Sequence, residues 1–402
     1  MDGSPYSGSR PRVLIVGTEA LDLRLPLMDQ LVAHGFDPCA AGALPQPEFD
    51  DTPYDYYQYP VCRSVSLRGF QQSVAALRGV IQQARPDLVH AVNTKPCLIA
   101  PRATRSLGIP CVRTVTGLGS AFSSDGLLYR GMQLAFRYMH RRVADDVLMT
   151  VFQNPDDLDY FVEAGLCPAG QTKLILGSGI DIDEFLSRIS SPKRLDEIRT
   201  ELGLHGRTVI TMVSRMMRTK GVAELVEAAE AVHRRHPEAL VLLVGPLVES
   251  GPSALSESAI SSSDAVKWIG LRTDVADILS VSDAFVLPSY LREGIPRVLF
   301  EAGALKLPIV TTDMPGCRET VRDGWNGFLI PPRDSRAIEQ ALESLLQSPD
   351  QRREMGRNSL QLVRDRFELS IVSQEYADVY RDALGIRDES GARSDQLTVR
   401  TA

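Results

Sequence analysis

The stretch Ala284-Phe-Val-Leu-Pro-Ser-Tyr-Leu-Arg-Glu-Gly-Ile-Pro-Arg-Val-Leu-Phe-Glu-Ala302 shows the structural unit from which this chain is built. It opens with a short apolar run, continues through a charged loop, and passes into a helical pattern that begins near Pro296. A short continuous apolar run is typical of a strand buried on both faces of a parallel sheet. The stretch therefore predicts a strand, a loop and a helix in succession.

Units of this kind recur from Arg12 onward, so the sequence predicts an α/β protein with parallel sheets. The predicted strands are Val13–Val16, Leu88–Val92, Val112–Val115, Val147–Phe152, Leu174–Leu176, Val209–Val213, Leu240–Val244, Val266–Ile269, Ala284–Leu287 and Ile309–Thr312. The main helical patterns are Leu21–His34, Phe70–Ala84, Leu127–Val143 and Phe367–Leu384. Ten strands exceed the usual size of one sheet, so two sheets of about five strands are expected.

A Gly- and Asp-rich segment, Gly177–Phe185, leads to Pro192 and is the expected link between two domains, with a cleft beside it. We expect the first domain over residues 12–180 and the second over residues 190–369. The segment Asp388–Ala402 is polar and lacks aromatic residues, so disorder is expected there.

Composition limits the class of function. The 402 residues carry 44 Lys and Arg against 51 Asp and Glu, and this net charge of −7 disfavours a nucleic-acid binder. The six cysteines form no C-x-x-C pair, as expected of reduced intracellular thiols. No window is apolar over the roughly 20 residues that a bilayer span needs, and the start has no apolar signal core. We therefore expect a cytoplasmic protein that acts on small molecules.

Two loops that follow predicted strands of the second half carry charges suited to a nucleotide diphosphate. Ligands of open α/β sheets bind outside the carboxyl ends of the strands, where helix N-termini favour phosphate. Glu293 lies in one loop, and Glu301 lies on its helix among apolar neighbours, where two ribose hydroxyls could satisfy its carboxylate. Arg215 and Lys220 lie in the other loop and can neutralise a departing diphosphate. Taken singly, each loop is also compatible with solvated surface charges.

In combination these residues resemble a known family. Glu293 and Glu301, separated by seven residues, together with the S-R-x-x-R-x-K-G segment that ends at Gly221, resemble the retaining glycosyltransferases of family four, which have the GT-B fold. Pro315-Gly-Cys-Arg-Glu319 supports the match. The resemblance covers roughly residues 12–384. It implies two Rossmann-like domains facing a central cleft, the first on the acceptor side and the second binding the donor, with a helix at 370–386 crossing back to the first.

The resemblance also implies a role for each matching donor-side residue. Arg215 and Lys220 would bind the diphosphate, and Glu301 would bind the ribose hydroxyls. Glu293 would bind the sugar hydroxyls, with a role as nucleophile or ion-pair stabiliser as the alternative. The remaining expected contacts, by backbone near the phosphate and sugar or around the nucleobase, are Gly294, Ile295, Pro296, Arg297, Val298, Gly245, Gly270 and Leu271. No metal or other cofactor is expected, because Arg and Lys could supply the positive charge.

On the acceptor side, His90-Ala-Val-Asn-Thr-Lys-Pro96 resembles the H-x-x-x-x-K-P segment of bacterial polysaccharide-assembly members of the family. The implied acceptor-side residues are His90, Thr94, Lys95, Gly117 and Gly119, and His90 is also a catalytic candidate. His90 could equally be a histidine hydrogen-bonded in the core at a strand end. One departure is the loop Gly17–Asp22, whose single glycine puts a phosphate contact there in doubt.

These observations predict a retaining transferase that moves a hexose or N-acetylhexosamine from a nucleotide sugar to a glycan or polyprenyl-linked acceptor. A UDP-linked sugar is the favoured donor. Two alternatives stay open: a nucleotide-sugar 2-epimerase of the same architecture, and an inactive nucleotide-sugar-binding module. The stretch 129–142 mixes arginines with large apolar residues. It predicts either peripheral contact with the inner face of a membrane or a packed helix with a basic outer face.

Overall fold

The computed structural model describes residues 10–18, 21–45, 47–61, 67–122, 126–261 and 263–386. The segment 388–402, for which disorder is expected, lies outside these residues. Cys62, two residues of the loop Gly17–Asp22 and most of the segment that precedes Arg12 also lie outside them.

The first half of the chain forms a seven-stranded sheet in which every pairing is parallel, in the order β3-β2-β1-β4-β5-β6-β7. Its strands are β1 (Arg12–Val16), β2 (Asp37–Gly42), β3 (Tyr56–Gln58), β4 (Leu88–Val92), β5 (Cys111–Val115), β6 (Met149–Phe152) and β7 (Thr172–Leu174). The helices between them are α1 (Leu25–Ala33), α2 (Leu67–Ala84), α3 (Pro96–Arg105), α4 (Leu127–Val143) and α5 (Pro155–Glu163).

The second half forms a six-stranded parallel sheet in the order β10-β9-β8-β11-β12-β13. Its strands are β8 (Thr208–Val213), β9 (Ala239–Val244), β10 (Val266–Trp268), β11 (Ala284–Leu287), β12 (Ile309–Thr312) and β13 (Gly327–Ile330). The helices are α6 (Ile182–Ser187), α7 (Pro192–Leu202), α8 (Val222–His233), α9 (Ser258–Ser261), α10 (Val275–Ser280), α11 (Arg297–Ala304), α12 (Ser335–Gln347), α13 (Pro349–Arg366) and α14 (Leu369–Leu384). We call the unit of β1–β7, α1–α5 and α14 the N domain, and the unit of β8–β13 and α7–α13 the C domain.

The expectation of an α/β fold with two parallel sheets is confirmed, but the expected number of strands is wrong. Patterning missed β2, β3 and β13, and it placed β7 two residues too late. Strand β2 has the sequence DPCAAG, whose residues favour strands weakly. It forms nonetheless, because pairing with β1 buries five of its six residues.

Helix α14 crosses from the C domain back to the N domain. Its Tyr376 and Tyr380 are fully buried in a core shared with Ile15 of β1 and Leu27 of α1. At the crossing, Ile180 donates to the Phe367 carbonyl (2.9 Å), and Leu369 donates to the Ile180 carbonyl (2.9 Å). Two chain segments therefore run side by side between the domains.

The carboxyl ends of the two sheets face each other. The loop after β11 reaches the N domain, where Gly294 donates its N–H to the Thr116 carbonyl (2.7 Å). Gly119, after β5, donates in return to the Arg292 carbonyl (2.9 Å). Within the described ranges, no helix has both the length and the apolar character to cross a bilayer.

Candidate active site

The basic loop after β8 places one lysine in the protein interior. A short 3-10 turn spans Arg218–Lys220 and ends at Gly221, whose φ of 74° is left-handed. A Cβ atom at position 221 would overlap the Pro288 carbonyl oxygen, so only glycine lets the turn lie against the end of β11. The Lys220 side chain is consequently 9 % exposed at the junction of the two strand ends.

The loop after β11 places Glu293 against that lysine. The Lys220 Nζ and the Glu293 Oε1 form an ion pair, and the buried Ser289 hydroxyl donates to the same oxygen (3.2 Å). Ser289 is held in turn by Thr312, whose hydroxyl donates to the Ser289 carbonyl. The structure thus joins two predicted site residues into one charged cluster, with Glu293 26 % exposed.

Glu301 lies one turn into α11 and is also paired. The Arg297 Nε donates to the Glu301 Oε1 (3.1 Å), and both side chains are about one-fifth exposed. The neighbouring residues Phe300 and Ala302 are fully buried. The carboxylate is therefore satisfied on one side by an arginine and still open on the other.

Three of the residues predicted to surround a nucleobase differ in their surroundings. Gly245 donates to the Gly270 carbonyl (2.7 Å), and Trp268 Nε1 donates to the Gly245 carbonyl (2.9 Å). Leu271, next along, is 73 % exposed. Arg215 is exposed as well; its carbonyl accepts a hydrogen bond from the Ser214 hydroxyl (3.0 Å), and among the described residues its guanidinium has no hydrogen-bond or ion-pair partner. Leu271 and Arg215 are therefore open to solvent, whereas Gly245 is buried.

The rest of the donor loop offers backbone more than side chains. Ile295 is buried in a core cluster with Phe300, and Val298 packs against the main core of the C domain. Pro296 precedes the first turn of α11, and Gly294 is buried. At Gly294 and Ile295 a ligand could be contacted only through the main chain, whereas Pro296 and Val298 are partly exposed.

Two of the predicted acceptor-side residues, Gly117 and Gly119, lie directly against the donor loop. Thr94 and Lys95 are exposed at the start of α3. Asn93 connects the two places, since its side-chain oxygen accepts a hydrogen bond from the Thr116 hydroxyl (3.2 Å). Sequence patterns did not single out Asn93, although its left-handed backbone (φ 72°) is compatible with a tight turn.

His90 has no exposed surface. One ring nitrogen lies 2.7 Å from the Thr114 hydroxyl and the other 2.7 Å from the Tyr380 hydroxyl of α14. Burial lowers the pKa of His90 to about 3, so the imidazole is neutral at physiological pH. Of the two interpretations left open by the sequence, the structure places His90 in the core: in this arrangement its side chain reaches no surface from which it could contact an acceptor.

Cys317 lies near the charged cluster but is not a candidate nucleophile. Its side chain is fully buried, and burial raises the pKa of the thiol to about 11. The thiolate is the reactive form, so this cysteine stays inert at neutral pH. Among the residues that the structure describes, no three His, Cys, Asp or Glu side chains are grouped so that they could hold a metal ion.

Family models match both halves of the chain. Residues 195–361 match the model described as glycosyl transferases group 1, and residues 25–175 match the glycosyl transferase 4-like domain. The first match contains the charged cluster, and the second contains Thr94, Lys95 and Gly117.

Named relatives and solved structures agree with these models. The chain is 24 % identical to the Escherichia coli UDP-Gal:alpha-D-GlcNAc-diphosphoundecaprenol alpha-1,3-galactosyltransferase, over 83 % of this chain and 85 % of that protein. It is 25 % identical to the Campylobacter jejuni N,N'-diacetylbacillosaminyl-diphospho-undecaprenol alpha-1,3-N-acetylgalactosaminyltransferase, over 81 % and 84 %. The crystal structure of Anabaena HepE with UDP is similar in fold, with a TM-score of 0.74 at 18 % identity over 92 % of this chain and all of HepE.

Proposed function

We propose that the donor is a UDP-sugar carrying a hexose or N-acetylhexosamine. The chain belongs to the family-four type of glycosyltransferases, which have the GT-B fold. The acceptor is a glycan or a polyprenyl-linked sugar used in cell-surface polysaccharide assembly, in keeping with the names of the relatives. The observation that carries this proposal is the ion pair of Lys220 and Glu293, formed between the loops after β8 and β11, the second of which contacts the N domain.

The transferase is favoured over both alternatives. Both domains match glycosyl transferase models, and relatives that align over four-fifths of the chain are named as transferases. A 2-epimerase would release a modified sugar without an acceptor. An inactive binding module would not need a buried lysine, Lys220, paired with a partly exposed carboxylate, Glu293.

Donor binding would rearrange the charged cluster. Lys220 is a buried cation paired with Glu293, and a bound diphosphate would compete with Glu293 for Lys220. The exposed Arg215 would contact the diphosphate from the solvent side. Glu293 would then exchange one partner for the sugar hydroxyls and keep the hydrogen bond from Ser289. Glu301 would bind the ribose hydroxyls through its open side, and the main chain of residues 294–298 would lie near the phosphate and the sugar.

Transfer with retention follows from attack on the face of the sugar that the diphosphate leaves. The acceptor oxygen forms a bond to the anomeric carbon as the bond to the phosphate oxygen breaks, and the acceptor proton passes to the leaving diphosphate. Lys220 and Arg215 would stabilise the growing negative charge. These two cations supply what a metal ion supplies elsewhere, so the proposed reaction needs no metal, and activity should persist in EDTA.

Helix α4 is the proposed site of peripheral membrane contact. Its inner side packs through the buried Phe136, His140 and Val143. On the outer side Leu127, Leu134 and Tyr138 are more than three-fifths exposed. Arg130, Arg141 and Arg142 are exposed beside them, and the helix contains no acidic residue. An apolar and basic outer face suits the surface of an anionic leaflet, where a polyprenyl-linked acceptor would be held.

The proposal is tested by supplying UDP-sugars together with a polyprenyl diphosphate sugar. We expect acceptor-dependent release of UDP and a product whose new linkage keeps the anomeric configuration of the donor, as measured by NMR. An altered free sugar formed without acceptor would instead identify an epimerase. Tight UDP-sugar binding without any turnover would identify an inactive module.

A further inference from the structure

Arg292, the residue before Glu293, connects the donor loop to the N domain. Its Nε donates to the Asp157 carboxylate (2.8 Å), and its second terminal nitrogen donates to the Asp156 carbonyl (3.2 Å). The guanidinium also lies over the Tyr160 ring, 5.6 Å from its centroid. All three partners belong to α5 of the N domain. A single side chain of the C domain is thus bound on three sides by one helix of the other domain.

The carboxylate of Asp157 is buried and hydrogen-bonded where it meets Arg292. Its side chain has no exposed surface, and its neighbour Asn154 both accepts a hydrogen bond from the Asp157 N–H (2.8 Å) and donates to the carboxylate (3.0 Å). Burial raises the pKa of Asp157, and the charge of Arg292 opposes that rise. A buried carboxylate needs such a partner, because removal from water disfavours its charged form.

The same contact region holds the main chain of Glu293. Asn154 lies 3.5 Å from the Glu293 carbonyl, to which its amide points as a donor. On either side of Glu293, the Arg292 carbonyl and the Gly294 N–H bond to Gly119 and Thr116. The C domain binds the carboxylate of Glu293 through Lys220 and Ser289, and its Gly316 lies against the Glu293 carbonyl. The position of Glu293 therefore depends on both domains at once.

We propose that Arg292 is a positioning residue for Glu293: its ion pair with Asp157 fixes the donor loop against the N domain and places the Glu293 carboxylate at the donor sugar. The inference rests on the proposed transfer reaction. Separation of the domains breaks the ion pair and both backbone hydrogen bonds, and it leaves Glu293 supported from the C domain alone. UDP, whose proposed contacts lie within the C domain, does not require this support. The sugar transfer step does.

The test compares Arg292→Met and Asp157→Asn with the control Arg318→Ala. Arg318 also bridges the domains, to Asp156 (3.0 Å), but it belongs to a different loop and both side chains of that pair are about one-third exposed. We expect kcat to fall about 10- to 100-fold in Arg292→Met and Asp157→Asn, the scale of a misplaced catalytic group, with the Kd for UDP changed less than about threefold. Arg292→Lys should recover part of kcat, and the double variant should cost no more than the poorer single variant, because the two residues act as a pair.

The kcat and UDP affinity of each variant are compared with those of a wild-type enzyme that transfers sugar. If the folded variants keep the wild-type kcat, or if they lose UDP affinity in proportion to kcat, Arg292 has no positioning role. A control that loses as much kcat as Arg292→Met would likewise overturn the inference, since any interdomain ion pair would then suffice. If the wild type itself transfers no sugar, the proposed function fails first. Small-angle scattering would then still test whether Arg292→Met opens the domains, and an unchanged radius of gyration would overturn the inference.

Discussion

Gly117 of the N domain lies so close to Glu293 of the C domain that a Cβ atom at position 117 would stand 2.5 Å from the Glu293 Cα. The backbone at Gly117 has a φ of 114°, which side chains other than glycine rarely adopt. Because the two domains touch at these atoms, a glycine at position 117 is required for the closed arrangement.

Gly117→Ala should hold the domains apart. We expect a loss of transfer activity of tenfold or more with UDP affinity kept, because the clash displaces the sugar-binding side of the site and leaves the nucleotide side intact. Gly108→Ala is the matched control: its φ of 67° is also left-handed, but a Cβ atom there would meet no atom within 4 Å. Both variants should lose roughly 1–2 kcal/mol of unfolding free energy from backbone strain. Equal activity of the two variants would contradict the prediction.

Lys220→Met should weaken UDP binding by about 1.5–3 kcal/mol, the scale of a hydrogen bond to a charged group. Methionine keeps the apolar stem in its buried position, so the fold should survive. Calorimetric titration with UDP measures the change. Lys193→Met removes an equal charge from the exposed surface of α7 and should leave the affinity unaltered. Wild-type affinity in a folded Lys220→Met protein would remove Lys220 from the diphosphate site.

The two glutamates should separate in their ligand dependence. Glu301→Ala should weaken both UDP and the UDP-sugar, because the proposed ribose contact is common to both ligands. Glu293→Ala should leave UDP affinity within a few-fold and lower the rate of transfer. Binding of both ligands to both variants, with initial rates, makes the comparison, and the reverse pattern would mean that the two roles are exchanged.

His90 should make stability depend on pH. Its pKa is about 3 in the folded state and 6.5 in the unfolded state, so the unfolded chain binds one more proton between these values. The stabilisation is complete above pH 6.5 and is lost as pH falls toward 3, at up to about 1.4 kcal/mol per pH unit. The free energy of unfolding, measured with urea at a series of pH values, should therefore depend less steeply on pH in His90→Asn than in the wild type. His205→Asn, at an exposed position, is the control. Parallel slopes for wild type and His90→Asn would show that His90 does not titrate in this way.

Anionic liposomes should bind the protein at low salt and release it at high salt. Each arginine near the surface contributes around 1 kcal/mol, and salt screens that attraction. Replacing Arg130, Arg141 and Arg142 by Glu should abolish cosedimentation without altering UDP affinity. The same change at Arg353, Arg357 and Arg364, exposed on α13 of the C domain, should not. A wild type that ignores anionic liposomes would leave the outer face of α4 without this role.

The fold class was predictable because the central strands are continuous apolar runs. Strand β9, with the sequence ALVLLV, is buried at all six positions, as its continuous apolar run predicts. Strand β2 was not predictable, since its Pro, Ala and Gly residues carry no strand signal and its place beside β1 depends on tertiary pairing. Local pattern therefore gave the class of fold but not the full width of the first sheet.

The site was predictable in its residue types and not in its contacts. Lys220 and Glu293 are both recognisable from their motifs, but they meet because β8 and β11 are adjacent in the sheet. The pairing of Arg292 with Asp157 joins residues of different domains, which no local pattern reveals. The burial of His90 depends on Tyr380, contributed by a helix that returns from the far end of the described chain.

That returning helix also sets the order in which the protein can be completed during synthesis. The N domain has all seven strands once Leu174 has been made, but Tyr376 and Tyr380 belong to its core. The ribosome must add about 200 more residues before they emerge, which takes on the order of 10–40 s at typical rates of translation. Throughout that interval the groove for α14 stays open on the N domain, and all six strands of the C-domain sheet are synthesised before Tyr376 and Tyr380 are made. The N domain is therefore synthesised first but completes its core last. Until α14 is added, the nascent N domain exposes an apolar groove to which a chaperone could bind.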